Sequence, residues 1–192
     1  MGDGAGGGMA PFGQKVDLCQ RIKEVLANYP TSSLLKEALQ NADDAGASTF
    51  AVMLDERAHG TASLCCPGTA PFQGPALLTH NDAKFTDADL ESIQHIGGSR
   101  KAAEDARSKT GRFGVGFNSV YHVTDLPSFF SRDFLVLLDP HCASLPNATT
   151  ADPGMLLRVR ELAARHPDQF GPYKVFGCDG FDAEFSGTTF RL

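Results

Sequence analysis

The stretch that decides the fold of this chain reads Leu34-Leu35-Lys36-Glu37-Ala38-Leu39-Gln40-Asn41-Ala42-Asp43-Asp44-Ala45-Gly46. Ala, Leu, Lys, Glu and Gln fill its early positions, and these residue types favour helix. Ser32 or Ser33 can cap the start with a side-chain oxygen, and Gly46 can end the helix after Ala45. The stretch therefore predicts one helix over residues 34–45.

This predicted helix carries a narrow polar stripe between apolar positions. Glu37, Asn41 and Asp44 are spaced i, i+4 and i+7, so they fall within one arc of the helix surface. The positions away from that arc are apolar and are predicted to face a core: Leu35, Ala38, Leu39 and Ala42. Taken alone, such a stripe is most simply a solvated face, but a second stretch of the chain favours a binding site.

That second stretch is glycine-rich and reads Gly111-Arg112-Phe113-Gly114-Val115-Gly116-Phe117-Asn118-Ser119-Val120. It is predicted to open a helix that ends near Val123. Glycines at a helix start let backbone N–H groups approach an anion closely, and the helix N-terminus adds partial positive charge. The pattern is not the Rossmann fingerprint, since no strong strand precedes it. It is not a P-loop either, since no Lys-Ser/Thr pair follows the glycines.

Together the two stretches predict a site for a magnesium-bound phosphate group. The amide oxygen of Asn41 can ligate Mg²⁺, an oxygen-seeking ion that also bridges phosphates. One helical turn away, Glu37 can take a proton from an attacking water. The residues that precede the glycines are small or charged and have no apolar period. The segment of about 97–113 is therefore predicted to close over the nucleotide as a lid.

Length and composition bound the remaining possibilities. The 192 residues fit one domain, and a net charge of −6 argues against a dedicated nucleic-acid surface. No apolar run approaches the roughly 20 residues that cross a bilayer. The five cysteines show no metal-ligand spacing. They predict reduced thiols in a cytoplasmic protein, with the nucleus as the alternative.

The order of elements along the chain can also be predicted. Residues 1–11 are Gly-rich and are expected to be a disordered lead-in, whereas 12–192 are expected to form one domain. Further helices are predicted over 16–28, 86–96 (capped by Thr86) and 155–165, a loop or weak hairpin over 57–74, and strands over 49–54, 75–80, 134–138, 173–176 and 188–192. Because the chain stops inside its last predicted strand, we expect it to be a piece of a longer protein.

The two central stretches resemble those of a known superfamily. The run from Glu37 to Ala45 is similar to the E-x-x-x-N-A-x-D-A box of the GHKL ATPases, and the glycine-rich stretch is similar to the second glycine box of their heat shock protein 90-like branch. The resemblance to sacsin-type repeat domains is closer still, and it runs from about Phe12 to His141. The further motifs that carry it are Phe12-Gly13-Gln14, Gln73-Gly74-Pro75-Ala76-Leu77, Val120-Tyr121-His122 and Leu138-Asp139-Pro140-His141.

The resemblance implies both a fold and a set of site residues. The implied fold is the Bergerat fold, an α+β two-layer sandwich with helices on one face of a mixed, mostly antiparallel sheet. By position, Glu37 is implied as the general base, Asn41 as the Mg²⁺ ligand, and Asp44 as part of the base pocket. The implied contacts to the phosphates, followed by one on the adenine side, are Gly111, Gly114, Gly116, Phe117 and Thr188.

The first glycine box of the family, D-x-G-x-G, is altered in this chain. Its aspartate accepts a hydrogen bond from the adenine amino group, but the corresponding turn here spans residues 80–85 and has no glycine. Pairing backward from Thr86 puts His80 at the aspartate position without a gap, or Asn81 there with one gap. Asn81 and the neighbouring Asp82 are the base-side candidates, and an Asn can still accept through its carbonyl oxygen.

Two functions follow from these features. The first is an ATP-binding, slowly hydrolysing domain of a sacsin-like molecular chaperone or co-chaperone, with Mg-ATP as cofactor. Its expected partners are other domains of the same large chain and client or co-chaperone proteins, with neither nucleic acid nor a membrane. The alternative is a degenerate scaffold for protein–protein contacts with little or no nucleotide binding, which the missing aspartate favours.

Overall fold

A computed structural model describes residues 17–94 and 116–192 of the chain. Within those ranges six strands form one sheet: β1 Phe50–Asp55, β2 Ala76–Asn81, β3 Ser128–Arg132, β4 Phe134–Leu138, β5 Gly154–Arg158 and β6 Phe185–Arg191. Their order across the sheet is β1-β2-β6-β3-β4-β5, and every neighbouring pair runs antiparallel. The predicted lead-in (1–11) and the predicted lid (97–113) fall outside the described ranges.

Five helices and four short 3₁₀ turns accompany the sheet in the described ranges. The helices are α1 Leu18–Asn28, α2 Leu34–Asp44, α3 Asp87–Gln94, α4 Val159–Leu162 and α5 Pro167–Phe170, and the 3₁₀ turns are Thr31–Ser33, Pro67–Phe72, Phe117–His122 and Gly171–Tyr173. Thr86 caps α3 as predicted, because its hydroxyl accepts the backbone N–H of Asp89 at 3.2 Å. In the part of the chain that the structure describes, no helix is both long enough and apolar enough to cross a membrane.

Helix α2 ends as its sequence predicts but does not start that way. Gly46 has φ +74°, and its N–H donates to the carbonyl oxygen of Asp43 at 2.8 Å, while the N–H of Ala47 reaches Ala42 at 3.0 Å. This pair of bonds is the Schellman motif, which satisfies the last carbonyls of a helix. At the start, the side chain of Ser33 donates to Pro30 instead of capping the helix. The serine-cap prediction is therefore wrong, and a 3₁₀ turn leads into α2.

Each face of the sheet has its own apolar core, because side chains of a strand point alternately to the two faces. On one face, Leu34 of α2 and Phe117 pack with Phe129, Phe134 and other buried residues. The second core forms around the next side chains along the strands: Phe130, Leu135 and Leu137, with Phe170 and Tyr173. The predicted α+β sandwich is confirmed. The second face is covered as well, by the segments that connect the strands.

The predicted inner face of α2 is partly wrong. Ala42 is buried, but Leu35 and Leu39 are 44% and 51% exposed. Leu34, which precedes the predicted apolar set, is the buried leucine instead. The helix is therefore rotated so that the polar arc, and not the two leucines, faces the sheet.

In the second half of the chain, three predicted elements differ from the structure and one strand was missed. Residues 154–158 form strand β5 and only Val159–Leu162 form a helix, because Met155 and Leu157 pair with residues of β4. The predicted strand over 173–176 is a 3₁₀ turn followed by a tight turn in which Phe176 has φ +51°. Strand β3 was not predicted. In place of a regular helix after the glycines, residues 117–122 form a 3₁₀ turn.

Candidate functional site: a cleft between helix α2 and the sheet

A cleft opens between α2 and the first face of the sheet; about 40 Å³ of it admits a water-sized sphere, within an outline of about 630 Å³ that extends into solvent. Six of the predicted site residues line it: Glu37, Asn41, Asn81, Gly116, Phe117 and Thr188. They come from α2, from β2, from β6 and from the start of the 3₁₀ turn at residues 117–122. Gly111 and Gly114, the other two predicted glycines, lie outside the described residues.

The carboxylate of Glu37 lies directly against Gly116. A Cβ atom built on that glycine would be 2.1 Å from Glu37 Oε2 and 3.1 Å from Cδ, far inside ordinary contact distance. Only glycine leaves room for the carboxylate at this point. Two segments that are far apart in sequence, the polar helix and the end of the glycine-rich stretch, therefore meet in space.

Only part of the polar arc of α2 faces this cleft. Asn41 lines the cleft one turn after Glu37, whereas Asp44 is not among the lining residues. One carboxylate oxygen of Asp44, Oδ2, is buried and has no hydrogen-bond partner among the described residues. Within residues 17–94 and 116–192, no three His, Cys, Asp or Glu side chains gather as a metal site. A divalent ion here would depend on the Asn41 amide and on the ligand's own oxygens.

The structure distinguishes the two candidates for the position of the family's aspartate. Asn81 lines the cleft, and its Oδ1 accepts the backbone N–H of Ala83 at 3.0 Å. His80 lies on the other face of the sheet, where its ring stacks on Phe176 with 4.8 Å between centroids. Burial lowers the pKa of His80. The one-gap pairing is therefore the one that brings a polar side chain into the cleft, and that side chain is an amide.

Asp82 is not brought into the cleft. Its carboxylate accepts the backbone N–H groups of Ser48 and Thr49 at 2.8 and 2.9 Å, and the Ser48 hydroxyl at 2.5 Å. These bonds lower the pKa of Asp82 to about 2, with the side-chain bond from Ser48 as the largest cause. Asp82 thus ties the turn after α2 to the end of β2. It supports the wall of the cleft from outside.

Thr188 lies deep in the cleft wall and is almost fully buried. Its hydroxyl donates to the carbonyl oxygen of Ala83 at 2.7 Å and lies 3.0 Å from the Ser131 hydroxyl. The residue therefore holds the turn after β2 against β6. Because its proton is engaged with the Ala83 carbonyl, it can offer a ligand an acceptor only.

The cleft also contains polar residues that the sequence did not single out. Ser119 is 1% exposed, lines the cleft, and its Oγ has no hydrogen-bond partner in the described ranges. Lys84 lines the rim and pairs with Glu184 at 3.6 Å. Ser119 belongs to the glycine-rich stretch, so its position in that motif was the available signal. The apolar part of the wall includes Phe50, Phe85, Val120 and Phe190.

Comparison with known proteins identifies the family of this chain. A family model described as "Sacsin domain" matches residues 15–192. The chain is also 46% identical over 183 residues to a protein of Homo sapiens named "Sacsin", a match that covers 94% of this chain. The chain therefore belongs to the sacsin domain family. It spans 4% of the length of that human relative.

Proposed function

We propose that this domain binds Mg-ATP in the cleft and hydrolyses it slowly, as one module of a large sacsin-like chaperone or co-chaperone. The observation that carries the proposal is the contact between the Glu37 carboxylate and Gly116. A carboxylate held against a glycine lies where a backbone could approach a phosphate group closely and where an attacking water could be deprotonated. This agrees with the roles that the GHKL resemblance implies.

Each residue of the cleft has a separate role in this proposal. Asn41 would hold the magnesium ion, which would neutralise phosphate charge when bound. Glu37 would accept the proton of water, and Gly116 would leave its backbone open to the phosphates. Phe117 and the neighbouring aromatic residues offer an apolar wall for a purine ring. Ser119, whose buried oxygen has no partner in the described ranges, gains one from a bound ligand.

The base side of the cleft makes the proposed affinity for ATP low. The Asn81 oxygen already accepts the Ala83 N–H, and its amide nitrogen is a donor that cannot accept the adenine amino group. A second lone pair of the same oxygen remains, so binding is weakened and not abolished. Low affinity suits a module whose occupancy follows the nucleotide level and alters contacts with other domains of the chain.

Calorimetric titration with Mg-ATP tests the proposal most directly. Wild-type protein should give saturable heat, and Glu37→Ala should keep it while losing turnover. Asn41→Ala should lose the part of the affinity that depends on Mg²⁺. Heat and thermal shift both absent at millimolar Mg-ATP would remove the proposal.

A scaffold without useful nucleotide binding is the second candidate function. Two observations favour it: the engaged oxygen of Asn81, and the exposure of Leu35 and Leu39 on the helix that would hold the nucleotide. Exposed leucines on a helix are common in interaction surfaces. In that case Leu35→Ser combined with Leu39→Ser would weaken contacts with other domains of the full chain. The same pair should leave Mg-ATP titrations unchanged.

A further inference from the structure

Two adjacent cysteines, Cys65 and Cys66, directly precede the 3₁₀ turn at residues 67–72. All five cysteines of the chain are free thiols. Cys66 is only 1% exposed and belongs to the core on the second face of the sheet, whereas Cys65 is half-buried and packs against that core. Solvent therefore reaches one residue of the pair while its neighbour is enclosed. Nothing in the proposed function uses this pair.

The two cysteine side chains lie on the same side of the chain. In an extended strand, adjacent side chains point in opposite directions, but here the backbone bends at both residues and both side chains pack in one core. They also share an acceptor on helix α5. Oε1 of the buried Gln169 accepts the Cys65 thiol at 3.5 Å and the backbone N–H of Cys66 at 3.1 Å. The bend and the shared acceptor hold the two thiols side by side.

A hydrogen bond between the two thiols makes them chemically unequal. The bond from the Cys66 thiol lowers the pKa of Cys65, and the same bond, together with burial, raises the pKa of Cys66. This direction agrees with the exposure, because the charged form is favoured on the sulfur that is nearer to solvent. Burial raises the pKa of Cys19 and of Cys178. Because the thiolate is the form that peroxides oxidise, Cys65 should react before these other thiols.

From this geometry we infer that Cys65 and Cys66 form a peroxide-sensitive dithiol, in which Cys65 is oxidised and Cys66 closes a reversible disulfide with it. The Cys65 thiolate attacks one oxygen of hydrogen peroxide and the O–O bond breaks, which gives the Cys65 sulfenic acid and hydroxide that takes up a proton. The Cys66 sulfur then attacks the Cys65 sulfur, and the thiol proton leaves with the sulfenic hydroxyl as water. In total, two thiols are oxidised to one disulfide and one peroxide is reduced to two waters.

The disulfide that closes between adjacent residues should be easily reduced. Their Cα atoms are about 3.8 Å apart across a trans peptide bond, whereas the Cα atoms of ordinary disulfides are about 4.4–6.8 Å apart. Strained disulfides of this kind have the higher reduction potentials that are typical of regulatory bonds.

Closure of the disulfide would also disturb the contacts of Cys66 with its neighbours. Its Sγ lies 3.6 Å from Met155 Sδ on strand β5, and its N–H is bonded to Gln169 on α5. Turning the Cys66 sulfur toward Cys65 moves it away from Met155. Oxidation should therefore loosen the packing of the 3₁₀ turn at residues 67–72 against β5 and α5.

Peptide mass spectrometry after a limited dose of hydrogen peroxide tests the inference. Trypsin releases residues 58–84 as one peptide that contains both cysteines of the pair and no methionine, while Cys19 and Cys178 lie in the separate peptides 16–21 and 175–191. At a dose that oxidises half of the 58–84 peptide, the oxidised half should lose about 2 Da, the two thiol hydrogens, and resist alkylation. The Cys19 and Cys178 peptides should still be alkylated. Dithiothreitol should restore both thiols of the pair.

Three variants separate the attack on peroxide from the closure of the disulfide. Cys66→Ser should leave Cys65 as a sulfenic acid that dimedone traps, without the loss of about 2 Da. Cys65→Ser should leave Cys66 reduced at the same dose, because that residue is enclosed in the core. Cys178→Ser replaces another buried thiol of the same core and is the matched control, so it should keep the wild-type product. The measurement on wild-type protein stands by itself if a variant fails to fold.

Denatured protein shows whether the fold creates the selectivity. In urea the two cysteines remain adjacent, but their hydrogen bond and burial are lost, so Cys65 and Cys19 should be oxidised at similar rates. Folded protein oxidised with peroxide should unfold at a lower urea concentration than reduced protein. Equal midpoints would refute the loosening of the turn.

The outcomes that overturn the inference are distinct from a failure of nucleotide binding. It is overturned if Cys19 is oxidised as readily as Cys65 in the folded domain, or if the 58–84 peptide gains oxygen without losing the two thiol hydrogens. It is also overturned if Cys66→Ser gives the wild-type product. Glu37→Ala should leave the oxidation unchanged, because Glu37 lies on the other face of the sheet.

Discussion

Replacing Gly116 by alanine should slow turnover about a hundredfold without unfolding the domain. Gly116 has φ −66° and ψ −38°, a helical conformation that alanine adopts readily. The new methyl group would lie 2.1 Å from Glu37 Oε2, whereas ordinary contact begins at 3.4 Å. The carboxylate must therefore withdraw by about 1.3 Å, the difference between these distances. It lies at the end of a flexible side chain, so the movement costs little stability.

The expected loss of activity is much larger than the loss of stability. A displacement of about 1 Å of a reacting group can reduce a rate about a hundredfold. Single-turnover phosphate release with Mg-ATP measures the rate, and displacement of a fluorescent nucleotide measures binding, which should stay within a few-fold of wild type. Urea unfolding should show a change of less than about 1 kcal/mol, since the entropic gain of Gly→Ala offsets part of the adjustment.

Two controls make this prediction decisive. Gly171→Ala tests the substitution itself, because Gly171 is also helical, with φ −50° and ψ −43°, and nothing lies within 4 Å of its added Cβ. The double variant Gly116→Ala with Glu37→Gln should be no slower than Glu37→Gln alone, since both changes act on one group. Turnover at the wild-type rate in Gly116→Ala would refute the assignment of Glu37 as the base.

Three further predictions concern the adenine-binding side of the cleft, the packing of Gly68 and the stability at low pH. Asn81→Asp should strengthen Mg-ATP binding by roughly tenfold in calorimetry, because a carboxylate still accepts the hydrogen bond from the Ala83 N–H and adds a charged acceptor for the adenine amino group. Unchanged affinity would mean that the adenine base does not reach Asn81. Gly68→Ala should lower the free energy of unfolding in urea by about 1–3 kcal/mol, because its Cβ would be 2.2 Å from the backbone oxygen of Ser144. Gly171→Ala serves as the control. Equal urea midpoints for the two variants would contradict the close packing at Gly68. The pKa of Asp82 is lowered to about 2, so its carboxylate adds stability that is fully present above its unfolded pKa of about 4 and is lost as the pH falls through about 2. Asp82→Asn should therefore flatten the decrease of Tm between these two pH values. An unchanged slope would refute the role of Asp82 in tying the turn after α2 to β2.

Helix α2 could be predicted because its signals are local, whereas its meeting with the distant glycine-rich stretch was predicted from the complementary chemistry of the two stretches and from their resemblance to the two boxes of one superfamily. Helix propensity, the i, i+4 spacing of Glu37 and Asn41, and Gly46 at the end lie within a few residues of one another. The rotation of the helix could not be predicted in the same way. Leu35 and Leu39 are as apolar as Leu34, and only the sheet beneath decides which of them is buried.

The errors in the second half of the chain come from pairing between distant residues. Met155 to Leu157 fit a helical period, yet they complete β5 because β4 offers an unpaired edge beside them. Strand propensity depends on such neighbours more than helix propensity does. The choice between His80 and Asn81 has the same origin. A shift of one residue moves a side chain to the opposite face, and the register of β2 with β1 and β6 determines which residue faces the cleft.

Strand β6 borders both faces of the domain, because its side chains point alternately to the two sides of the sheet. Thr188 and Phe190 line the proposed nucleotide cleft, whereas Thr189 contacts His80 and Arg191 lines a second cavity, on the other face of the sheet. In a substitution scan along this strand, changes at Thr188 and Phe190 should therefore weaken Mg-ATP binding, whereas changes at Thr189 and Arg191 should lower stability without that loss. Two cavities with different linings therefore share one strand, so point substitutions on one face of β6 could change one cavity without altering the other.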